Sequence, residues 1–343
     1  MQTLVLHQPR QFVLTDTPIP RDPGPGEALV RVHRVGVCGT DLHAFSGRQP
    51  FFTYPRILGH ELGVEVTAVG PGVTNVRAGD RCAVEPYLNC GHCRACRAGK
   101  PNCCSELRVL GVHSDGGLRE WIVVPAAKLH PSARLSFDQL ALVETLGIGA
   151  HAVQRAALER GETVAVVGAG PIGAAVVEFA RERGCRVIVV DRAASRLAFC
   201  RDAQGIPAAD LVDAARADVP AELARLTGGD RPAAVFDATG NDASMASSFT
   251  FPAHGGRLVL VGLFNGAIQF NDPDFHRREL TLLASRNSLP EDFRRIIGLM
   301  ESGRVNVSPW ITDRAALAEA AGRFDRWTRP DSGVLKAMIS VAD

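Results

Sequence analysis

Four cysteines, Cys90-x-x-Cys93-x-x-Cys96 and then Cys104 after seven further residues, constrain this chain more than any other feature. That spacing lets one short segment bring four thiolates to a common point, as a tetrahedral, closed zinc site requires. A loop wrapped around a metal needs tight turns, and Pro86, Asn89, Gly91, Gly99 and Pro101 supply them. Such a site contributes folding energy and no chemistry. Cys103 stands beside Cys104, so spacing alone leaves the fourth ligand open. The chain has nine cysteines, an odd number, and five crowd into this segment. In a cytoplasmic chain that clustering points to metal rather than disulfides.

The rest of the sequence sets the class. A chain of 343 residues is expected to form two domains. A net charge of +1 gives no electrostatic footprint for nucleic acid or an anionic membrane. No run reaches the roughly 18 apolar residues of a membrane span. The opening MQTLVLHQPRQF has neither a basic n-region nor an apolar h-region. The expectation is a cytoplasmic protein with a small-molecule partner, no nucleic acid and no membrane.

The first part reads as mostly β. Ala28–Val32 alternates, Glu65–Val69 and Arg81–Val84 are short strands, and proline and glycine runs separate them. The pattern changes near residue 139, where a helical period begins that Gly147 and Gly149 are expected to break. After it, the apolar runs 163–167, 186–190, 234–236, 257–261 and 280–284 alternate with helical stretches. Apolar runs separated by helices imply an α/β unit with a parallel sheet buried on both faces. From about 287 onward, helical pieces end in the strand-like VLKAMISV, which is expected to return to the first domain.

Gly168-x-Gly170-Pro171-Ile172-Gly173 lies between the first of these apolar runs and a helix. The first glycine permits a tight turn, the second lets backbone approach a pyrophosphate, and the third lets helix and strand pack closely. The helix N-terminus then faces the phosphates. Asp191 ends the next strand about 20 residues on, where an acid bonds ribose hydroxyls. A carboxylate there favours NAD over NADP. Arg192, the neighbour of Asp191, and Arg196 complete the cofactor candidates of this segment, and Arg192 weakens the preference slightly because it could face a phosphate.

Cys38, in Cys38-Gly39-Thr40-Asp41-Leu42-His43, and His60-Glu61 offer a thiolate, an imidazole and a carboxylate. A catalytic zinc takes about three protein ligands and keeps one position open. Spacing does not join Cys38 to His60. The ordered set does: C-G-T-D-x-H, G-H-E, the four-cysteine loop and the glycine turn together resemble the zinc-dependent medium-chain dehydrogenase/reductase family, over nearly the whole chain. Within it, Gly-His-Glu resembles the polyol, threonine and sugar-acid dehydrogenase branch.

The resemblance implies a GroES-like β domain, residues 1–148 and 287–343 with the zinc loop at about 86–105, split around a Rossmann domain at 149–286. It implies two zinc ions per chain. One would be structural, on Cys90, Cys93, Cys96 and Cys104. The other would be catalytic, on Cys38, His60 and Glu61 or Glu144, two carboxylates between which the resemblance does not choose. The usual proline after that second glutamate is Thr145 here. Thr40 and His43 match the family's proton relay, and Asp41 is expected to brace the loop. The nicotinamide end would lie near Thr239 and Val261-Gly262-Leu263. His113, Arg286 and Asn287 are expected on the substrate side.

The resemblance thus implies a hydride transfer from a secondary alcohol to NAD. A sugar acid such as a hexonate is the first expectation and a neutral polyol the second. The alternatives are an L-threonine or simple alcohol dehydrogenase and a zinc-stabilised dinucleotide-binding scaffold without turnover. A homodimer or homotetramer is expected from the same resemblance.

Overall fold

The computed structural model describes residues 1–49 and 52–342. The chain divides into two compact units, residues 1–145 with 288–343, and residues 146–287.

In the first unit a seven-stranded, mostly antiparallel sheet carries the architecture. Its central strand Glu27–Gly36 pairs along one side with Glu61–Val69. On the other side its first half takes Trp121–Pro125 and its end takes Lys336–Ser340, which is followed by Ile311–Ala316. The chain's tail therefore completes a sheet begun by its first forty residues. Arg81–Val84 and Leu129–Pro131 extend the opposite edge. A second sheet orders Gln11–Asp16, Gln2–Gln8 and Arg56–Ile57. Alternation puts Val30, Val32, Val64 and Val66 into one core with Leu4, Leu6, Phe45 and Phe324. Each such buried side chain stabilises the unit by roughly 1.5–3 kcal/mol before chain entropy is counted.

The second unit is a six-stranded parallel sheet. Its spatial order is Leu211–Asp213, Arg186–Asp191, Thr163–Val167, Ala234–Asp237, Arg257–Leu260, Thr281–Ala284. Numbered by chain order this is 3-2-1-4-5-6, the doubly wound dinucleotide-binding arrangement. The order reverses beside Thr163–Val167, whose C-terminal end carries the glycine turn. Two features differ from the sequence reading. Strand Leu211–Asp213 went unrecognised because it holds only two apolar residues. The glycines near 147 do not break the helix, since Phe137–Ala156 is continuous. Gly149 serves packing instead. A Cβ there would lie 2.4 Å from the backbone of Ala175 on the helix Pro171–Glu182.

Candidate active site

The short helix Gly39–Phe45 starts directly after Cys38. Its Asp41 carboxylate accepts hydrogen bonds from the N–H of Cys38 at 2.9 Å and of Gly59 at 3.4 Å. One buried side chain thus ties the loop carrying Cys38 to the loop carrying His60. Asp41 also lies 3.7 Å from His60 Nδ1, beyond hydrogen-bond distance, where its charge acts on the ring. In consequence ligand atoms of Cys38, His60 and Glu61 lie within 4.8 Å of one another, His60 and Glu61 both buried. The distance in sequence that spacing could not bridge is closed by the sheet and by Asp41.

Glu144 is buried nearby in the helix Phe137–Ala156 and accepts a hydrogen bond from the Tyr87 hydroxyl. It is not in the convergent trio, yet its charge reaches His60. Burial raises the Glu144 carboxyl above its usual range, and burial with the Glu144 charge raises the Tyr87 phenol. Lys336 and Tyr87 are the residues that sequence reasoning missed. A lysine inside an otherwise apolar strand was the available signal for the first.

The site attracts a cation. Burial opposes charge on His60, but Asp41, Cys38 and Glu144 outweigh it and push the imidazole well above its ordinary value. Sulfur, nitrogen and carboxylate donors surrounded by negative charge suit a divalent ion of matching softness, which binds in place of the proton. The residues therefore fit a zinc held by Cys38, His60 and a glutamate.

Thr40 and His43 stand three residues apart on the same helix, on neighbouring positions of one face. His43 is held below the usual imidazole value by partial burial and then by the charge of Arg48. It is consequently neutral near pH 7, the form that accepts a proton.

The four-cysteine loop closes on itself. Ligand atoms of Cys90, Cys93, Cys96 and Cys104 lie within 4.8 Å of one another, and Cys93 Sγ is 3.5 Å from Cys96 Sγ. Zinc–sulfur bonds of about 2.3 Å give tetrahedral S···S edges near ~3.8 Å, so the fit is close. Cys103 is exposed, and Cys104 is the fourth thiol of the convergent set. Backbone N–H groups of Cys90 and Glu106 point at Cys104 Sγ, and that of Cys93 at Cys90 Sγ. Donors aimed at sulfur favour thiolates. The Cys93 thiol is pulled down to about 5, first by the backbone of Cys96 and Ser105. Asn89 adds an amide N–H toward Cys96 Sγ at 3.7 Å, and its carbonyl accepts from Lys128 at 3.0 Å.

In the second unit the cofactor candidates converge around the glycine turn. Pro171 opens the helix Pro171–Glu182 after Gly170, and Ile172 follows it. A Cβ on Gly173 would lie 1.7 Å from the carbonyl oxygen of Gly168, so only glycine allows this strand–helix contact. Asp191 accepts from the N–H of Ala169 at 2.6 Å and of Ala193 at 2.7 Å. It thereby fixes the turn and keeps lone pairs for a ribose. Arg192 follows Asp191 in the chain, and Arg196 lies close enough to feel its charge. Across the turn, Asp237 accepts from Thr239 N–H and hydroxyl, while Val261 and Gly262 donate to the Asp237 carbonyl. Thr239 and Gly262 are thereby held at the same end of the sheet, with Leu263 exposed beside them.

The substrate candidates are less closely specified. His113 Nδ1 accepts from the N–H of Val109, which uses that nitrogen to shape its own turn. Arg286 is exposed, and Asn287 takes a left-handed φ of 52° just after the last parallel strand.

Residues 24–134 match the alcohol dehydrogenase GroES-like domain, and residues 171–302 match the zinc-binding dehydrogenase domain. The chain is 40% identical over 340 residues to L-galactonate-5-dehydrogenase of Escherichia coli K12, covering 99% of each. The chain belongs to the zinc-dependent medium-chain dehydrogenase/reductase family. Among solved structures it superposes with a TM-score of 0.92 on a short chain alcohol dehydrogenase of Escherichia coli CFT073 complexed with NADH, 29% identical, covering 99% of each chain. A zinc-binding dehydrogenase of Sinorhizobium meliloti bound to NADP gives 0.89 at 29% identity, again covering 99% of each. The family member described here is accordingly an oxidoreductase that works with zinc and a nicotinamide cofactor. No helix among the described residues is long and apolar enough to cross a membrane.

Proposed function

We propose that this dehydrogenase oxidises a secondary hydroxyl of a polyhydroxylated substrate, a sugar acid first and a neutral polyol second, with NAD as the acceptor. The observation that carries the reading is the convergence of half-buried Cys38 with buried His60 and Glu61. Its similarity to an L-galactonate-5-dehydrogenase supports the sugar acid. Asp191, aimed at the glycine turn, supports NAD, because its charge repels a 2′-phosphate. The four thiols of the cysteine loop support a second, structural zinc.

A zinc held by Cys38, His60 and a glutamate would supply Lewis acidity at the substrate oxygen, and a nicotinamide at the glycine turn would supply the hydride acceptor. The chain's residues do the rest. Thr40, two residues from Cys38, takes the hydroxyl proton and passes it to His43, which releases it to water. The O–H proton thus leaves through His43, the carbinol hydrogen would leave as hydride, and the two losses together make the product a ketone. Asp41 ties the Cys38 and His60 loops together and sets a negative charge beside the His60 ring, and Tyr87 holds Glu144 beside the site. Arg286, Asn287 and His113 are proposed to select the substrate, Arg286 by pairing with a carboxylate.

The nine cysteines are unbridged, which supports work in the reducing cytoplasm. The edge strand Thr281–Ala284 presents Leu282 at 41% exposure, which supports pairing with a second copy in a homodimer or a tetramer of such pairs. The test of the whole reading is NAD reduction over matched aldonates and alditols, with zinc quantified on the same sample. Faster turnover of aldonates is the expected result, and equal rates on acid and parent alditol remove the carboxylate argument.

A further inference from the structure

The most unusual charge in the molecule is Lys336. It lies in the strand Lys336–Ser340 and is 2% exposed. Its ammonium donates to both oxygens of Glu61, at 2.6 and 2.8 Å, and lies 3.2 Å from the carbonyl of Val37. An ammonium has three protons, and all three have a partner here.

A second observation shows that this contact is built. Glu61 stands opposite Gly36 in the antiparallel sheet, and Gly36 stands opposite Met338 on its other side. For its carboxylate to meet Lys336, Glu61 must reach past the central strand. A Cβ on Gly36 would lie 2.1 Å from Glu61 Oε2 and 3.2 Å from its carboxyl carbon. Glycine at 36 therefore leaves the space through which the carboxylate passes, and the lysine receives it. Neither residue belongs to the convergent trio.

We propose that Gly36 and Lys336 form a seat for the Glu61 carboxylate, and that Lys336 is a positioning residue that restrains Glu61 from the metal position defined by Cys38 and His60. The inference rests on the metal-centre reading given above. A carboxylate bonded by both oxygens to one ammonium is a poorer metal ligand than a free one, because the cation occupies a lone pair on each oxygen and neutralises its charge. Glu144 is then the carboxylate less encumbered by a cation. The seat gives the open question of Glu61 against Glu144 a physical cause.

The test uses cobalt in place of zinc in the intact protein, and reads the visible spectrum and the rate of metal release to a chelator. Wild type should show a cobalt–thiolate band that Cys38→Ser removes. Absence of that difference overturns the metal-centre reading itself. Given the band, Lys336→Met should weaken the ligand-field absorption, as an added oxygen ligand does. It should also slow release from this site by about tenfold, the scale of outer-partner changes. Glu61→Gln with Lys336→Met should match Glu61→Gln alone, which separates action through Glu61 from the loss of one positive charge. Gly36→Ala keeps the lysine, crowds the seat and should reproduce the spectral change. A Lys336→Met spectrum superimposable on wild type overturns the proposal while leaving the metal centre standing. So does a Lys336→Met effect that persists undiminished in the Glu61→Gln background.

Discussion

On the proposed reading the four-cysteine loop and the Cys38 site each receive a metal, and they are built in opposite ways. The loop draws all its thiols from Cys90 to Cys104, near solvent, with backbone N–H groups aimed at sulfur. The Cys38 site draws on loops, strands and a helix spread from Cys38 to Lys336, and its carboxylates and imidazole are buried. The loop is closed by four like ligands. The Cys38 site mixes sulfur, nitrogen and oxygen and surrounds them with Asp41, Tyr87 and Lys336. A structural centre can be local because it only has to hold. A reactive centre has to tune charge and leave a position open, and that takes neighbours brought by the whole sheet.

The contrast breaks most visibly if each centre loses one thiol. Cys38→Ser should lower turnover by about 10³-fold or more, the several kcal/mol that a Lewis acid supplies. It should remove one zinc of two and leave the thermal midpoint nearly unchanged. Cys93→Ser should do the reverse. Its midpoint should fall by about 10 °C, which ~3 kcal/mol does in a unit of this size, while folded molecules keep most of their turnover. Calorimetry and turnover on the two variants decide it, and swapped outcomes would exchange the roles of the sites.

A smaller effect sharpens the reactive side. His43→Gln should lower kcat/KM by about 10²-fold, the usual share of a positioned acid or base. The sign of the pH dependence follows from the shift. The neutral ring is the acceptor, so wild-type activity should fall as pH drops through a value below the ordinary 6.5. That limb should vanish in the variant. A pH profile that keeps it assigns the titration to another group.

The smallest effect belongs to the structural side. Asn89→Ala removes the amide N–H toward Cys96 and the link to Lys128. Zinc release from the loop should quicken by about tenfold, read with a chelator, and turnover should not change. An unchanged release rate would show that the backbone donors hold the thiolates alone.

The same contrast explains what could be read before coordinates. The cysteine loop was legible because its thiols are neighbours in sequence; only Cys104 against Cys103 needed geometry, and it is Cys104 that joins the convergent set. The parallel sheet was legible because strands buried on both faces are unbroken apolar runs, as at Thr163–Val167 and Arg186–Asp191. Leu211–Asp213 was not, since an edge strand with two apolar residues owes its structure to its neighbour. Gly149 was read as a helix break because glycine's propensity cost is local, whereas its reason, contact with Ala175, is tertiary. At the Cys38 site, the ordered motifs named candidate ligands only through a family resemblance. Lys336 and Tyr87 carry no motif, and only the sheet register and the helix Phe137–Ala156 bring them to Glu61 and Glu144. Charge-tuning residues are chosen by the fold, so their identity is spread through the chain.

The central claim is two metals in two unlike cages. Anomalous diffraction at the zinc edge from crystals of the zinc-loaded protein tests it most directly. The account predicts two peaks per chain, one within the four thiols of the cysteine loop and one bonded to Cys38 Sγ and His60. A map with a peak in the loop and none at Cys38 in fully active protein would contradict it.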